Sequence, residues 1–295
     1  MSIPNDTYCM ECNLKRNLAL ARSLGTQEQA VAFGKKLMEQ IIAMPADAPS
    51  PMLGPQLADL LLEHYGLPLD RFRQEKEQSN RFVVERLDTI REKVNAASDP
   101  LLAGLQFAIL GNYLDFSALQ GKVSFSDLET MLDKALEMEL DTTVYREFCR
   151  DLETAKSLLY LTDNAGEIGF DRIFAEKIAE KYPQVAITFC VRGEIAVNDA
   201  TRQDAAAVGI PFPVIDNGKG NRVAGTVPEL MGPESRQALE QADVILSKGM
   251  GNCETLYGSG YPIYYAFLVK CQKFVSLFGK PLMTPMWVRE PGRGQ

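Results

Sequence analysis

Asp163-Asn164-Ala165-Gly166-Glu167 brings reactive side chains to a place where they could be used. An apolar run at 157–162 precedes it and reads as a strand, and a helical pattern at 170–181 follows. Strands that end in polar residues and pass through glycine into a helix are where open α/β sheets build sites, because their carboxyl ends border a crevice. Asp163 and Asn164 are two adjacent hard oxygen donors, which suit a divalent cation. Glu167, one short turn on, could hold or deprotonate a water.

Such a site needs a sheet to carry it. The second half of the chain has strand-like runs at 157–162, 185–191, 212–215 and 244–247. Helical patterns at 170–181, 199–208 and 232–241 lie between them, and 261–278 reads as one long, largely apolar helix. Strands alternating with helices predict a parallel sheet covered on both faces. The first half reads as helices at 11–24, 28–44, 56–65, 71–95, 101–110, 126–139 and 142–156. Thr26 with Gln29 opens the second of these as a capping box, and Ser126 with Glu129 opens the sixth. The expected organisation is a helical subdomain over 1–150 packed on an α/β catalytic domain over 151–295, with a soft boundary.

Other polar clusters end the other strands: Arg192-Gly193 with Asn198-Asp199 just beyond, Asp216-Asn217-Gly218, and Lys248-Gly249. In a parallel sheet these ends share one edge, roughly 5 Å apart from strand to strand. Asp163, Asn164 and Asp199 would then supply three oxygen ligands. Arg192, Lys248 and Lys270 are the candidate cations. Lys270 stands out because it interrupts the apolar run 264–269. A metal ion, carboxylates and lysines around an open site suit phosphoryl-group hydrolysis, where positioning and charge neutralisation carry most of the catalysis. The same residues have plainer readings. Asp-Asn-Ala-Gly suits a strand-to-helix turn, Asn198-Asp199 an ordinary N-cap, and Asp216-Asn217 rivals the first cluster as a ligand pair.

Composition narrows the classes. The 295 residues are 46% hydrophobic with a net charge of −8, so a sizeable core is affordable and a general nucleic-acid binder is disfavoured. No apolar run is long enough for a membrane span, and the first residues lack a signal-peptide pattern. Six cysteines, scattered apart from Cys9 and Cys12, read as reduced and cytoplasmic. Cys9-x-x-Cys12 is half of a zinc site, a redox pair, or two small apolar residues on a helix face. His64 is the one histidine and reads as structural. Gly249-Met250-Gly251-Asn252 is too short for a dinucleotide fingerprint, and there is no P-loop.

Taken in order, the motifs resemble those of the DUF89 family, the damage-control phosphatases with an ARMT1-like metal-binding domain, over about residues 5–280. They are Cys9-x-x-Cys12, Asp70-Arg71-Phe72 with Lys76 and Asn80, and Gly111-Asn112-Tyr113-Leu114-Asp115. Asp163–Ile168 with Phe170-Asp171, Arg192-Gly193 with Asn198–Thr201, Ser247–Glu254 and Lys270-Cys271 follow. The resemblance implies an α/β/α sandwich with an added helical region, and a phosphatase of small phosphorylated metabolites that uses one Mn²⁺, Co²⁺, Ni²⁺ or Mg²⁺ ion. It places the metal ligands at Asp163, Asn164 and Asp199, and the catalytic residues at Asp163, Glu167 and Lys270. Lys248, Asn252, Arg192, Asn112, Asp115 and Lys76 are its substrate- or phosphate-binding set. Either water or the Asp163 carboxylate would fit as nucleophile. The chain departs from the family at Arg71, where a proline often follows the aspartate, a change expected to be harmless. Residues 285–295 match nothing in it.

Two other classes use parts of the same sequence. An open α/β sheet can hold S-adenosylmethionine at this edge, giving a methyltransferase, although that cofactor needs no Asp-Asn-Asp ligand set. A non-catalytic metal or metabolite sensor would work through Cys9 and Cys12.

Overall fold

The computed structural model describes residues 2–115 and 123–290. Helices come first: α1 (Thr7–Leu24), α2 (Gln27–Ala43), α3 (Gly54–Tyr65), α4 (Arg73–Val84), α5 (Leu87–Ala96), α6 (Pro100–Gly111), α7 (Phe125–Asp133) and α8 (Thr142–Thr154). The capping box at Thr26 and Gln29 forms as expected. Residues 71–95 are two helices rather than one. At the break the Arg86 guanidinium turns back to the Phe82 carbonyl, 2.8 Å away, and reaches across to Glu129 on α7. Ser124, not Ser126, caps α7, accepting a hydrogen bond from the Asp127 amide.

The second half alternates: β1 (Ser157–Leu161), α9 (Glu167–Lys181), β2 (Ala186–Val191), α10 (Arg202–Ala207), β3 (Val214–Asp216), α11 (Pro233–Gln241), β4 (Val244–Lys248), α12 (Gly249–Leu256), β5 (Ile263–Leu268), α13 (Gln272–Phe278) and β6 (Pro285–Glu290). The sheet order is β3-β2-β1-β4-β5-β6, parallel except for β6, which runs antiparallel to β5. From β1 the chain winds one way to β2 and β3, and from β4 the other way to β5 and β6. The switch point, where such sheets bind ligands, therefore lies between β1 and β4.

Two further expectations need correction. The span 261–278 is not one helix. Its Ile-Tyr-Tyr-Ala-Phe-Leu segment is a strand buried at every position, and only 272–278 is helical. A continuous apolar run has no period to separate a core strand from a buried helix, and the aromatic content here favours the strand. Residues 285–290, unmatched in the sequence reading, form the antiparallel edge strand, with Met286 and Trp287 buried.

Layers form on both sheet faces. One core joins Tyr160, Phe189, Leu246 and Tyr264 to α6, α8 and α9. Gly104 and Gly111 let α6 lie close on α9: a Cβ at Gly111 would sit 2.7 Å from the Phe170 ring. The opposite face packs Leu159, Ile245 and Phe267 against α11, α12 and α13. Helices α1, α2 and α3 share a separate cluster around Phe33 and Leu61. No described helix is long and apolar enough to cross a membrane.

Candidate active site

The turn after β1 is fixed from several sides. The Thr162 hydroxyl bonds the Cys190 carbonyl on β2, 3.1 Å away. Asn164 forms an isolated β-bridge with Asp199, which brings the two segments together at the switch point. Gly166 has φ +78 and a Cβ there would lie 2.7 Å from Ser79, so both conformation and space demand glycine. Its amide donates to Asn80 Oδ1 of α4 at 2.7 Å, and Asn80 Nδ2 donates to Asp204 at 2.9 Å.

Asp163, Asn164, Asp199 and Asp115 line one cavity of about 240 Å³, with Arg16 and Asn17 of α1, and Arg71, on its helical wall. Asp163 Oδ2 accepts from Asn112 Nδ2 at 2.9 Å and from Asn164 Nδ2 at 2.8 Å. Asp199 Oδ2 accepts from Arg192 Nε at 2.6 Å. Neither Oδ1 takes a hydrogen bond from a described residue. Burial, then the charges of Glu167, Asp199 and Asp115, hold the Asp163 carboxyl well above its usual range, with Lys270 partly opposing. Burial likewise raises Asp199 to about 6 against the pull of Arg192. Crowded, desolvated carboxylates with an open oxygen each are suited to a cation, and an all-oxygen donor set suits a hard one. Among the described residues no three His, Cys, Asp or Glu side chains form a group that could hold a metal ion; the Asn164 amide oxygen beside Asp163 accepts from Asn198 Nδ2 at 2.8 Å.

The other sequence-predicted residues divide by where they point. Lys270 donates to Asp115 Oδ2 at 2.9 Å; Asp115 lines the cavity, whereas Lys270 itself lines the neighbouring one with Cys9, Cys12 and Cys271. Asn112 donates to Asp163 and to both Glu167 oxygens, while its own Oδ1 accepts from the Leu268 amide at the end of β5, so it ties α6, β1 and β5 together. Glu167 and Lys248 lie behind the cavity, both without exposed surface. Lys248 Nζ donates to Glu167 Oε1, Asp171 Oδ1 and the Ala108 carbonyl at 2.7, 2.6 and 2.7 Å, which uses all three of its donors. Burial, opposed by Lys248, pushes Asp171 up to about 7. Arg192 also faces inward, to Asp199, the Gly225 carbonyl, Thr226 and Asn252 Oδ1. Asn252 Nδ2 bonds the Thr162 and Lys248 carbonyls, which locks the ends of β1 and β4 together. Lys76 pairs with Asp204 at 2.8 Å in a separate groove beyond Ile195 and Val197, which border both spaces.

Asp216, the rival ligand, pairs with Arg202, and Asn217 Oδ1 accepts from the Gly193 amide, so that pair holds loops together. Cys9, Cys12 and Cys271 line a third cavity, and His64 packs edge-on against Phe33. The sequence reading missed Arg16, Asn17 and Gly249. Gly249 has φ +78 and a Cβ there would fall 2.0 Å from Asp163 Oδ2. The strand-end Lys-Gly was the available signal for Gly249; nothing marked Arg16 and Asn17 within an amphipathic helix.

A doubly wound sheet with a carboxylate-lined cavity at its switch point places this chain among α/β proteins that bind ligands at the strand ends. A family model for the damage-control phosphatase ARMT1-like domain matches residues 6–284. A damage-control phosphatase of Archaeoglobus fulgidus is 32% identical over 209 residues, 69% of this chain and 70% of that protein. One from Pyrococcus horikoshii is 33% identical over 205 residues, 68% of each chain. The crystal structure of a DUF89 family protein from Pyrococcus horikoshii superposes with a TM-score of 0.80 at 25% identity, covering 97% of this chain and 99% of that one. The chain belongs to the damage-control phosphatase family with the ARMT1-like domain.

Proposed function

We propose that the chain is a divalent-metal-dependent phosphatase that hydrolyses small phosphorylated metabolites. The observation that carries this reading is the convergence of Asp163, Asn164, Asp199 and Asp115, with Lys270 on Asp115, at the switch-point cavity. Asp163, Asn164 and Asp199 would hold the ion, Mn²⁺, Co²⁺, Ni²⁺ or Mg²⁺, which when bound supplies positive charge for phosphate oxygens as the ester bond breaks. The rest of the work falls to the protein. Asn112 and Asn164 clamp Asp163 through Oδ2, which leaves Oδ1 without a hydrogen-bond donor among the described residues. Arg192 does the same for Asp199, and Asn252 and Thr226 hold Arg192. Lys270 pairs with Asp115 and its charge opposes the upward shift of Asp163, and it would take up phosphate charge as it exchanges Asp115 for substrate. Glu167 and Lys248 would act as positioning residues, through Asn112 and Asn164, rather than touching phosphate. Pre-set side chains of this kind lower the barrier because they need no rearrangement when charge develops.

The test is a hydrolysis screen with sugar phosphates and an aryl phosphate across these metals, after chelation. Metal-dependent release of phosphate that Asp163→Ala and Asp199→Ala abolish, while both variants stay folded, is the expected result. Full turnover in either variant would remove the site assignment.

A further inference from the structure

The cavity that the carboxylates line also carries charge of the opposite sign. Arg71, in the turn before α4, and Arg16, on α1, line the same 240 Å³ cavity as Asp163 and Asp199. Arg71 is half-buried and forms no ion pair with any described carboxylate; its guanidinium lies 4.9 Å from the centre of its neighbour Phe72's ring. Burial, and the Arg16 charge beside it, pull Arg71 below its ordinary pKa. Two guanidiniums held together in a partly desolvated pocket repel each other, and an anion between them removes that cost. A guanidinium fork matches a carboxylate or a phosphate in two parallel hydrogen bonds. In the reading above, the reacting phosphate is served by the ion and Lys270 on the strand-end side. Arg71 is then left for a different group on the same molecule. The cavity is also smaller than the roughly 300–1,000 Å³ typical of ligand pockets, which favours a compact ligand carrying both groups.

We infer that the Arg71–Arg16 wall binds a second anionic group of the substrate, a carboxylate or a second phosphate, so that the substrates are compact phosphate esters with an anion at each end. This inference rests on the phosphatase reading only for which end reacts. Arg71 is the specificity-determining residue, with Arg16 supporting it.

Two matched pairs of probes test it. Erythronate 4-phosphate and erythritol 4-phosphate differ by one carboxylate, and ribulose 1,5-bisphosphate and ribulose 5-phosphate differ by one phosphate. The readout is the ratio of kcat/KM within each pair. The wild-type chain is expected to favour the doubly anionic member of at least one pair by roughly ten- to hundredfold, as a charge-assisted bidentate contact would. Which pair discriminates identifies the second anion. Arg71→Met should bring that ratio close to one, and Arg71→Lys should retain part of it. Arg16→Met should lower it less, and it covers the case in which Arg71→Met does not fold. No discrimination by the wild type, or equal losses on both members of a pair in Arg71→Met, would overturn the inference. Calorimetric titration with the same probes reads the ratio as dissociation constants. Discrimination in binding without turnover would sink the phosphatase reading and leave Arg71 in place. Turnover without discrimination would do the reverse.

Discussion

Lys248 Nζ lies 2.7 Å from Glu167 Oε1, and neither side chain has any exposed surface. A second carboxylate, Asp171, lies 2.6 Å from the same nitrogen. One lysine therefore holds two acids between α6, α9 and β4. Removing water from three charged groups is expensive, and the ion pairs repay it only while all partners are present. Lys248→Met should therefore destabilise the protein by about 3–5 kcal/mol, because it strands Glu167 and Asp171. Urea unfolding of the metal-free chain measures this. A lysine used mainly to bind phosphate would instead raise KM with little change in the unfolding midpoint.

Asp163 gives the opposite expectation. Its neighbours Glu167, Asp199 and Asp115 all disfavour its charge. Asp163→Asn keeps the shape and removes that repulsion. The metal-free variant should melt at or above the wild-type temperature, yet lose metal-dependent turnover by about a thousandfold, as when a central electrostatic group is removed. Thermal unfolding and single-turnover kinetics on one preparation check both halves. A variant that unfolds early would show that Asp163 serves the fold.

What could be read from sequence follows from what a residue type reveals about direction. Asp163 and Asn164 were legible because a strand, two oxygen donors and a glycine occur in that order. Lys270 was legible because a charge inside an apolar run must leave the core or find an acid, and it finds Asp115. Lys248 and Arg192 were correctly seen as strand-end residues, while Asn252, expected in the loop after Lys248, lies within α12. Which way they point was not legible. On a strand buried on both faces, the last side chain can enter the crevice or a helix layer, and Lys248 enters the layer. The strand at 263–268 was hidden because an unbroken apolar run has no polar face to set a period. Arg71 was visible in the motif, but its place in the cavity depends on how α1 and α4 pack, which no local pattern encodes.

Asp199 gives the site a pH signature. Burial raises its carboxyl to about 6, while a free aspartate ionises near ~3.9. Between those values the folded metal-free chain keeps a proton that the unfolded chain has lost. The stability this group contributes is thus fully present below ~3.9 and lost as pH rises through about 6. A divalent ion requires the ionised carboxylate and competes with that proton. The rise in melting temperature on adding Mn²⁺ should therefore grow between about pH 5 and 7, and Asp199→Asn should weaken that growth, leaving the part that Asp163 sets. Scanning calorimetry at several pH values, with and without the ion, decides it. A metal-induced shift constant across this window would mean that Asp199 is already ionised or is not a ligand.

Gly249 separates backbone strain from damage to the site. Its φ is +78, and an alanine methyl would lie 2.0 Å from Asp163 Oδ2, the oxygen gripped by Asn112 and Asn164. Gly279 has a similar φ of +64 with nothing within 4 Å of the added methyl. Alanine at either position costs about 1–2 kcal/mol for the left-handed backbone. At Gly249 the methyl must also push the Asp163 carboxylate out of place, and misplacing a reacting group by about 1 Å can cost roughly a hundredfold in rate. Gly279→Ala should lose stability and keep its turnover. Gly249→Ala should lose at least as much stability and most of its kcat, with weaker metal binding by calorimetry. If the two variants keep similar kcat values, Asp163 can move without consequence and its clamp by Asn112 and Asn164 is not what sets the rate.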